Sequence, residues 1–164
     1  MKKILLFFIF ILLFGCDSIR NNDKYITLID CPEIFFSSEN SVYFDGNSEN
    51  LDINMINYKA SLNNYGFSNN CFADEVNNNF LIDLLIIVEP LNPKDKSINL
   101  PIFAILYDSE EKIIDRQYFK IKNNLIYDQQ TSNYEVLDLI HNLNIIIENN
   151  KDIKIITIGF VKIN

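Results

Sequence analysis

The chain has 164 residues, 48% of them apolar and 22% charged, with a formal net charge of −8. That much apolar side chain offsets the entropy of ordering a backbone, which excludes disorder over most of the length, and the size fits one domain with a real core. The acidity argues against nucleic acid as a partner, because phosphate binding needs a basic surface that releases counterions. A skew to 28 Ile and 24 Asn against 3 Ala and 4 Gly follows AT-rich codons and leaves single Asn residues with little functional weight.

Lys2 and Lys3 precede an unbroken apolar run from Ile4 to Phe14, the pattern of a charged n-region and a short h-region in a secretory signal. As a helix this run rises only about 16 Å, roughly half the hydrocarbon thickness of a bilayer, so a spanning anchor is the weaker reading. Leu13-Phe14-Gly15-Cys16 resembles the bacterial lipobox, with Leu three residues before the cysteine and a small residue at the cut; Phe14 departs from the small residue usual there. The resemblance implies a signal peptide over 1–15 and a mature chain that starts at acylated Cys16. Burial of its acyl chains, at about 0.8 kcal/mol per methylene, would hold the protein to a membrane. Such a mature chain has a net charge of −10, with 12 Lys and Arg facing 22 Asp and Glu. Asp17 resembles the residue that retains lipoproteins at the inner membrane of enteric bacteria. Residues 17–30 are polar and read as a tether of at most about 45 Å, leaving 31–164 as the single domain, facing the periplasm.

With Cys16 given to lipid, Cys31 and Cys71 remain, an even count in a compartment that permits disulfides. One bridge between them is expected; reduced core thiols or a redox pair are the alternatives, and no Cys-x-x-Cys spacing supports the latter.

Strand signals follow in order. Glu33 to Ser37 is short, apolar and aromatic and runs into a Ser, Asn, Asp and Gly cluster. From Ile53 to Leu62 the residues Ile56, Tyr58, Ala60 and Leu62 alternate with Asn57, Lys59 and Ser61, a strand with one wet side. Leu81 to Val88 is almost continuously apolar, as in a central strand covered on much of both faces. Leu100 to Tyr107 and Lys112 to Lys122 flank the turn-like Asp108-Ser109-Glu110-Glu111. They predict a hairpin whose second arm sends Ile113, Phe119 and Ile121 one way and Arg116, Lys120 and Lys122 the other. The last strand spans Lys154 to Ile163, with Ile156, Ile158 and Phe160 on one face.

One helix is expected. Val136, Leu139, Ile140 and Leu143 sit at i, i+3, i+4 and i+7, and Ser132 with Glu135 supplies a capping box; Leu143 to Ile147 reads as a short strand after it. Six or seven strands, polar turns and one short helix predict an all-β chain, an antiparallel β-sandwich of the immunoglobulin or fibronectin kind. Three glycines beyond the signal, Gly46, Gly66 and Gly159, exclude a phosphate-cradling loop and a dinucleotide fingerprint, so no nucleotide and no cofactor is expected.

Cys16, Cys31-Pro32 opening a strand, Cys71 after the second strand, Phe80 to Val88, Pro101-Ile102-Phe103-Ala104, Phe119 and the closing Gly159-Phe160 together resemble an uncharacterised family of alphaproteobacterial lipoproteins. The resemblance covers nearly all of the chain from Cys31, through order and spacing more than through any single motif. The chain departs from the family in lacking Gly in the 108–111 turn and a polar Gln after the final Gly-Phe. What the resemblance implies is a β domain in the envelope; it brings no established activity.

Catalytic constellations are sparse. His141, the only histidine, would lie near the C-terminal end of the expected helix, where the dipole favours a charged ring. No Gly-x-Ser-x-Gly elbow surrounds a serine, and a zinc site would need both cysteines. Asp108, Glu110, Glu111 and Asp115 lack the glycine and ligand spacing of a calcium loop, so no metal is expected. The remaining candidates are aromatics in or beside loops, Tyr43, Phe44, Tyr65, Phe67 and Phe72, as a surface for partner contact, or an open sheet edge that accepts a partner strand. The expectation is a non-catalytic, membrane-anchored envelope lipoprotein that binds another envelope protein or assists an assembly. The alternative is a hydrolase of envelope polymers that uses a carboxylate pair.

Overall fold

The computed structural model of the protein describes residues 26–46 and 53–162. The expected signal, the lipobox with Cys16, Asp17 and most of the tether lie outside the described residues. Six strands of six residues or more carry the fold: β4 (Tyr58–Phe67), β6 (Asn77–Pro90), β7 (Ser97–Tyr107), β8 (Ile113–Asn124), β11 (Leu137–Glu148) and β12 (Ile155–Phe160). Shorter strands flank them: β1 (Thr27–Leu28), β2 (Glu33–Phe36), β3 (Val42–Phe44), β5 (Phe72–Ala73), β9 (Tyr127–Asp128) and β10 (Asn133–Tyr134). None of the described helices is long and apolar enough to cross a membrane.

The strands form two main sheets packed as a sandwich. In the first, β6 is central: β11 pairs along one side of it, and β4 and β5 share the other, with β3 beyond β4 and β1 beyond β5. The second has the order β2, β12, β7, β8, with β2 parallel to β12 and the remaining pairs antiparallel. Period-two alternation places the core. Phe80, Ile82, Leu84, Ile86 and Val88 of β6 face Ile98, Leu100, Ile102, Ala104 and Leu106 of β7 across the interior, joined by Leu143 and Ile145 of β11 and Ile156, Ile158 and Phe160 of β12, all essentially without solvent contact. Tyr58 fits this dry interior because its phenol is satisfied. The hydroxyl donates to the Asn99 carbonyl at 3.1 Å and accepts from the Asn99 N–H at 2.9 Å, which ties β4 to β7.

Most expected strands stand where the alternation put them, and four details differ. Residues 137–148 are one twelve-residue strand, where a helix was expected from 136 onward. Leu139 and Leu143 are four apart, a spacing that shares a face in both periods; the deciding residues are Val136 and Ile140, which are exposed, whereas a helical stripe would bury them. Ser132 adopts φ 53° in the turn between β9 and β10, a left-handed conformation that a helix N-cap does not use. The strand from Ile53 starts later, at Tyr58, after a 3₁₀ turn over Ile53–Met55. Thr27 and Leu28, expected within a tether, pair with Ala73 and Phe72 of the domain. Ile113 is exposed and opposes Tyr107, since an irregularity in the β7–β8 ladder shifts it to the face opposite Phe119.

Cys31 and Cys71 form the expected bridge, with Cα atoms 5.3 Å apart. It joins the segment leading into β2 to the segment leading into β5, and so fastens one sheet to the other near the point where the chain enters the domain.

Candidate functional site

The five aromatics expected to form a contact surface do not converge. Tyr43 is paired with Ala60, on the inward parity of β4, so its ring turns into the sandwich; it packs 5.7 Å from Phe160 and 6.4 Å from Tyr58. Burial, then the nearby Asp45 carboxylate, push its phenol above the ordinary tyrosine range. Tyr65 is also on the inward parity by register, opposite Leu84, but lies at the rim and is exposed. It meets Phe36 of the other sheet edge-on at 5.7 Å and closes one flank of the sandwich. Phe67 packs against the core, Phe72 is half-buried beside Leu28 on the outer face, and Phe44 stands alone, exposed, beside Lys59.

An aromatic surface does exist, on the outer face of the β2–β12–β7–β8 sheet. The pairing register sets its rows: Phe35, Thr157, Ile105 and Arg116 form one, and Gly159, Phe103 and Tyr118 the next. Glu33, Ile155, Tyr107 and Ile113 flank the first, and Pro101 stands beside Lys120. A sheet with one wet face normally alternates apolar with polar residues, yet the outward positions of β7 read Asn99, Pro101, Phe103, Ile105 and Tyr107. All are half-buried, while Phe35 is 51% and Tyr118 67% exposed. Gly159 is what lets the Phe103 ring lie flat here: a β-carbon on residue 159 would come within 2.6 Å of the ring. The rim is basic. Arg116, Lys120 and Lys122 project from β8 on this face and are exposed. The ion pairs formed among the described residues use Lys59, Lys112 and Lys154 instead. The sequence signal for this face lies in the hairpin, where both parities of β7 are apolar.

The flank opposite Phe36 and Tyr65 is more open. There β8 and β11, the last strands of their sheets, each pair on one side only. The Gln117 amide spans the gap, donating to the Ile146 carbonyl at 2.8 Å and to Asp115 at 2.9 Å. His141 lies on the inward parity of β11, between Leu139 and Leu143, and is half-buried; the expected helix end is absent, and with it the dipole that would favour a charged ring. Burial instead holds the imidazole below its ordinary value of 6.5. The unfolded chain therefore takes up this proton at a higher pH than the folded one, and stability falls as the pH drops below about 6.5. Replacing His141 with Gln should flatten that decline, measured as urea midpoints at about pH 7 and about pH 5.

Of the acids Asp108, Glu110, Glu111 and Asp115, the first three form the expected turn, whereas Asp115 lies within β8 and accepts from Gln117. Asp108 accepts the backbone N–H groups of Glu110 and Lys112, both at 2.9 Å, and so shapes the β7–β8 hairpin. Glu111 takes φ 59° there. No group of three or more potential metal ligands gathers among the described residues. A cavity of about 830 Å³ opens at the end of the sandwich where β1 enters, and Asp30, Asp74 and Asp152 are among its lining residues. Two of these are engaged: Asp74 accepts from the N–H groups of Val76 and Asn77, and Asp152 pairs with Lys154 at 3.1 Å. The carboxylates with displaced titration, Asp83, Asp95 and Asp128, are all held below their usual range, chiefly by hydrogen bonds from Asn142, Ser97 and Thr131. A general acid needs the opposite displacement.

Comparison of the chain with models of protein families, with curated proteins and with solved structures finds no match in any of the three.

Proposed function

We propose that the protein is a non-catalytic lipoprotein of the bacterial envelope, anchored through acylated Cys16 and facing the periplasm, whose β-sandwich binds another envelope protein. The observation that carries the binding role is the outer face of the β2–β12–β7–β8 sheet, where Phe35, Phe103, Ile105, Tyr107 and Tyr118 share one face, Phe35 and Tyr118 exposed and the other three half-buried. Aromatic side chains and arginine are enriched at protein contact surfaces, and an apolar patch on a solvated sheet raises the free energy of the unbound state. The anchor rests on the lipobox resemblance at Leu13 to Cys16, and Asp17 favours the inner membrane. The order of motifs shared with alphaproteobacterial lipoproteins supports the same location.

Two measurements test this reading. Mass spectrometry of the native protein should find Cys16 as an acylated N-terminal residue; a free Cys16 thiol on a chain starting at Met1 would remove the anchor. A photo-crosslinking residue at position 35 or 118 should yield a discrete protein adduct in intact envelopes. Changing the neighbouring Tyr107 to Asp should reduce the adduct at either position about thirtyfold, the loss expected from roughly 2 kcal/mol at an aromatic contact. Equal adduct yields from Phe44, on the opposite sheet, would show that the crosslinks are collisional and sink the reading.

A further inference from the structure

The free edge of β8 adds a second property to this face. β8 pairs with β7 on one side only; on the other, apart from the Asn124 N–H that donates to the Asn123 side chain at 2.8 Å, its row of main-chain N–H and C=O groups has no partner among the described residues. Such an edge is a template for another strand. Its charge is out of character with the chain. The protein carries a net charge of −8, whereas β8 holds Arg116, Lys120 and Lys122 on its outer side and a single acid, Asp115, which is engaged by Gln117 on the other.

We propose that β8 accepts an extended, acidic segment of a partner protein as a fifth strand of this sheet, with carboxylates at alternate positions of that segment meeting Arg116, Lys120 and Lys122. The inference rests on the protein-binding role above and specifies its mode. Alternation is what makes the match selective, because residues at every second position of an added strand fall on one face. The same cations exclude the simplest competitor: a second copy pairing β8 against β8 would set Arg116, Lys120 and Lys122 among their own counterparts, and like charges across a strand pair repel. The other free edge, β11, is poorly placed to receive β8 of a second copy, since its Ile146 carbonyl already accepts from Gln117. A lipid or polysaccharide surface would satisfy the charges and leave the backbone row unpaired, so a peptide backbone is the better fit.

The test uses the full chain in detergent with a synthetic peptide of alternating valine and glutamate, a matched peptide of valine and lysine, and vesicles containing phosphatidylglycerol. The acidic peptide should bind and slow amide hydrogen exchange along β8. Combined Arg116→Glu, Lys120→Glu and Lys122→Glu changes, all at exposed positions, should weaken it about tenfold or more and reverse the preference toward the lysine peptide. Unchanged exchange at saturating acidic peptide overturns the proposal, as does undiminished binding by the triple variant. So does slowed β8 exchange with vesicles alone, or slowed exchange on raising the concentration of the chain by itself. The crosslinks at positions 35 and 118 separate the two failures. Protein adducts there without peptide protection of β8 remove only the strand-addition mode, and their absence removes the binding role itself.

Discussion

Loss of the Cys31–Cys71 bridge should lower the stability of the domain by about 4 kcal/mol, the chain-entropy effect of releasing a loop with a sequence separation of 40. That is a large part of what a domain of this size has in total. The reason is topological. The loop contains β2, β3 and β4, one from the second sheet and two from the first, so the bridge shortens the search for pairings that no local sequence signal enforces. Thiol labelling of denatured, unreduced protein should leave both cysteines unmodified. Urea unfolding of a Cys31→Ser, Cys71→Ala double variant should show the loss as a lower midpoint with a steeper dependence on denaturant, because the uncrosslinked unfolded chain exposes more surface. An unchanged midpoint would mean that the bridge restricts the unfolded chain no more than it restricts the folded domain.

Truncating Phe160 to Ala is expected to cost about 3 to 5 kcal/mol, the range for emptying a fully buried aromatic site. Phe160 ends the last strand, its N–H donates to the Asn40 carbonyl at 2.7 Å, and its ring supports Tyr43. The neighbour supplies an independent readout. Burial is the larger of the two causes that raise the Tyr43 phenol, so with Phe160 removed its titration should move back down toward the ordinary tyrosine value of 10.0. Absorbance titration would register this, and an unmoved Tyr43 would indicate that the cavity collapses around it.

Alternation made much of the fold legible in advance. In β4, where Tyr58, Ala60 and Leu62 alternate with Lys59 and Ser61, the parity in the sequence is the parity in the structure, and in β8 it holds except at Ile113, beyond the irregularity. Residues 136–143 misled because Leu139 and Leu143 satisfy both periods, and only the exposure of Val136 and Ile140 breaks the tie. That exposure depends on β6 offering an edge for β11 to pair with, a long-range fact absent from any local window. The aromatic outer face was hidden for a related reason. Aromatics near Asn and Gly clusters read as loop residues, yet Tyr43 and Tyr65 take the inward parity of paired strands, Tyr43 half-buried and Tyr65 still exposed at the flank. Phe35 and Tyr118, more exposed than either, sit within strands, and only the sheet order brings them to the two sides of one face. Nothing within a single strand distinguishes an outward apolar residue awaiting a partner from one covered by the rest of the fold.

The bridge also fixes how the domain bears a mechanical load. Tension entering from the N-terminal side first meets the β1–β5 pair, a ladder only two residues long that can peel apart rung by rung. Beyond it the force arrives at Cys31 and passes covalently to Cys71, and from there toward β5 and β6 in the centre of the first sheet. The parallel β2–β12 contact is bypassed, and β2, β3 and β4 are shielded from the pull. The span between the cysteines cannot pay out, which withholds roughly 130 Å of extended chain. Were the proposed N-terminal anchor loaded, the domain would yield by a short give at β1 and then stiffen, keeping the sheet that carries Phe35, Phe103 and Tyr118 in register.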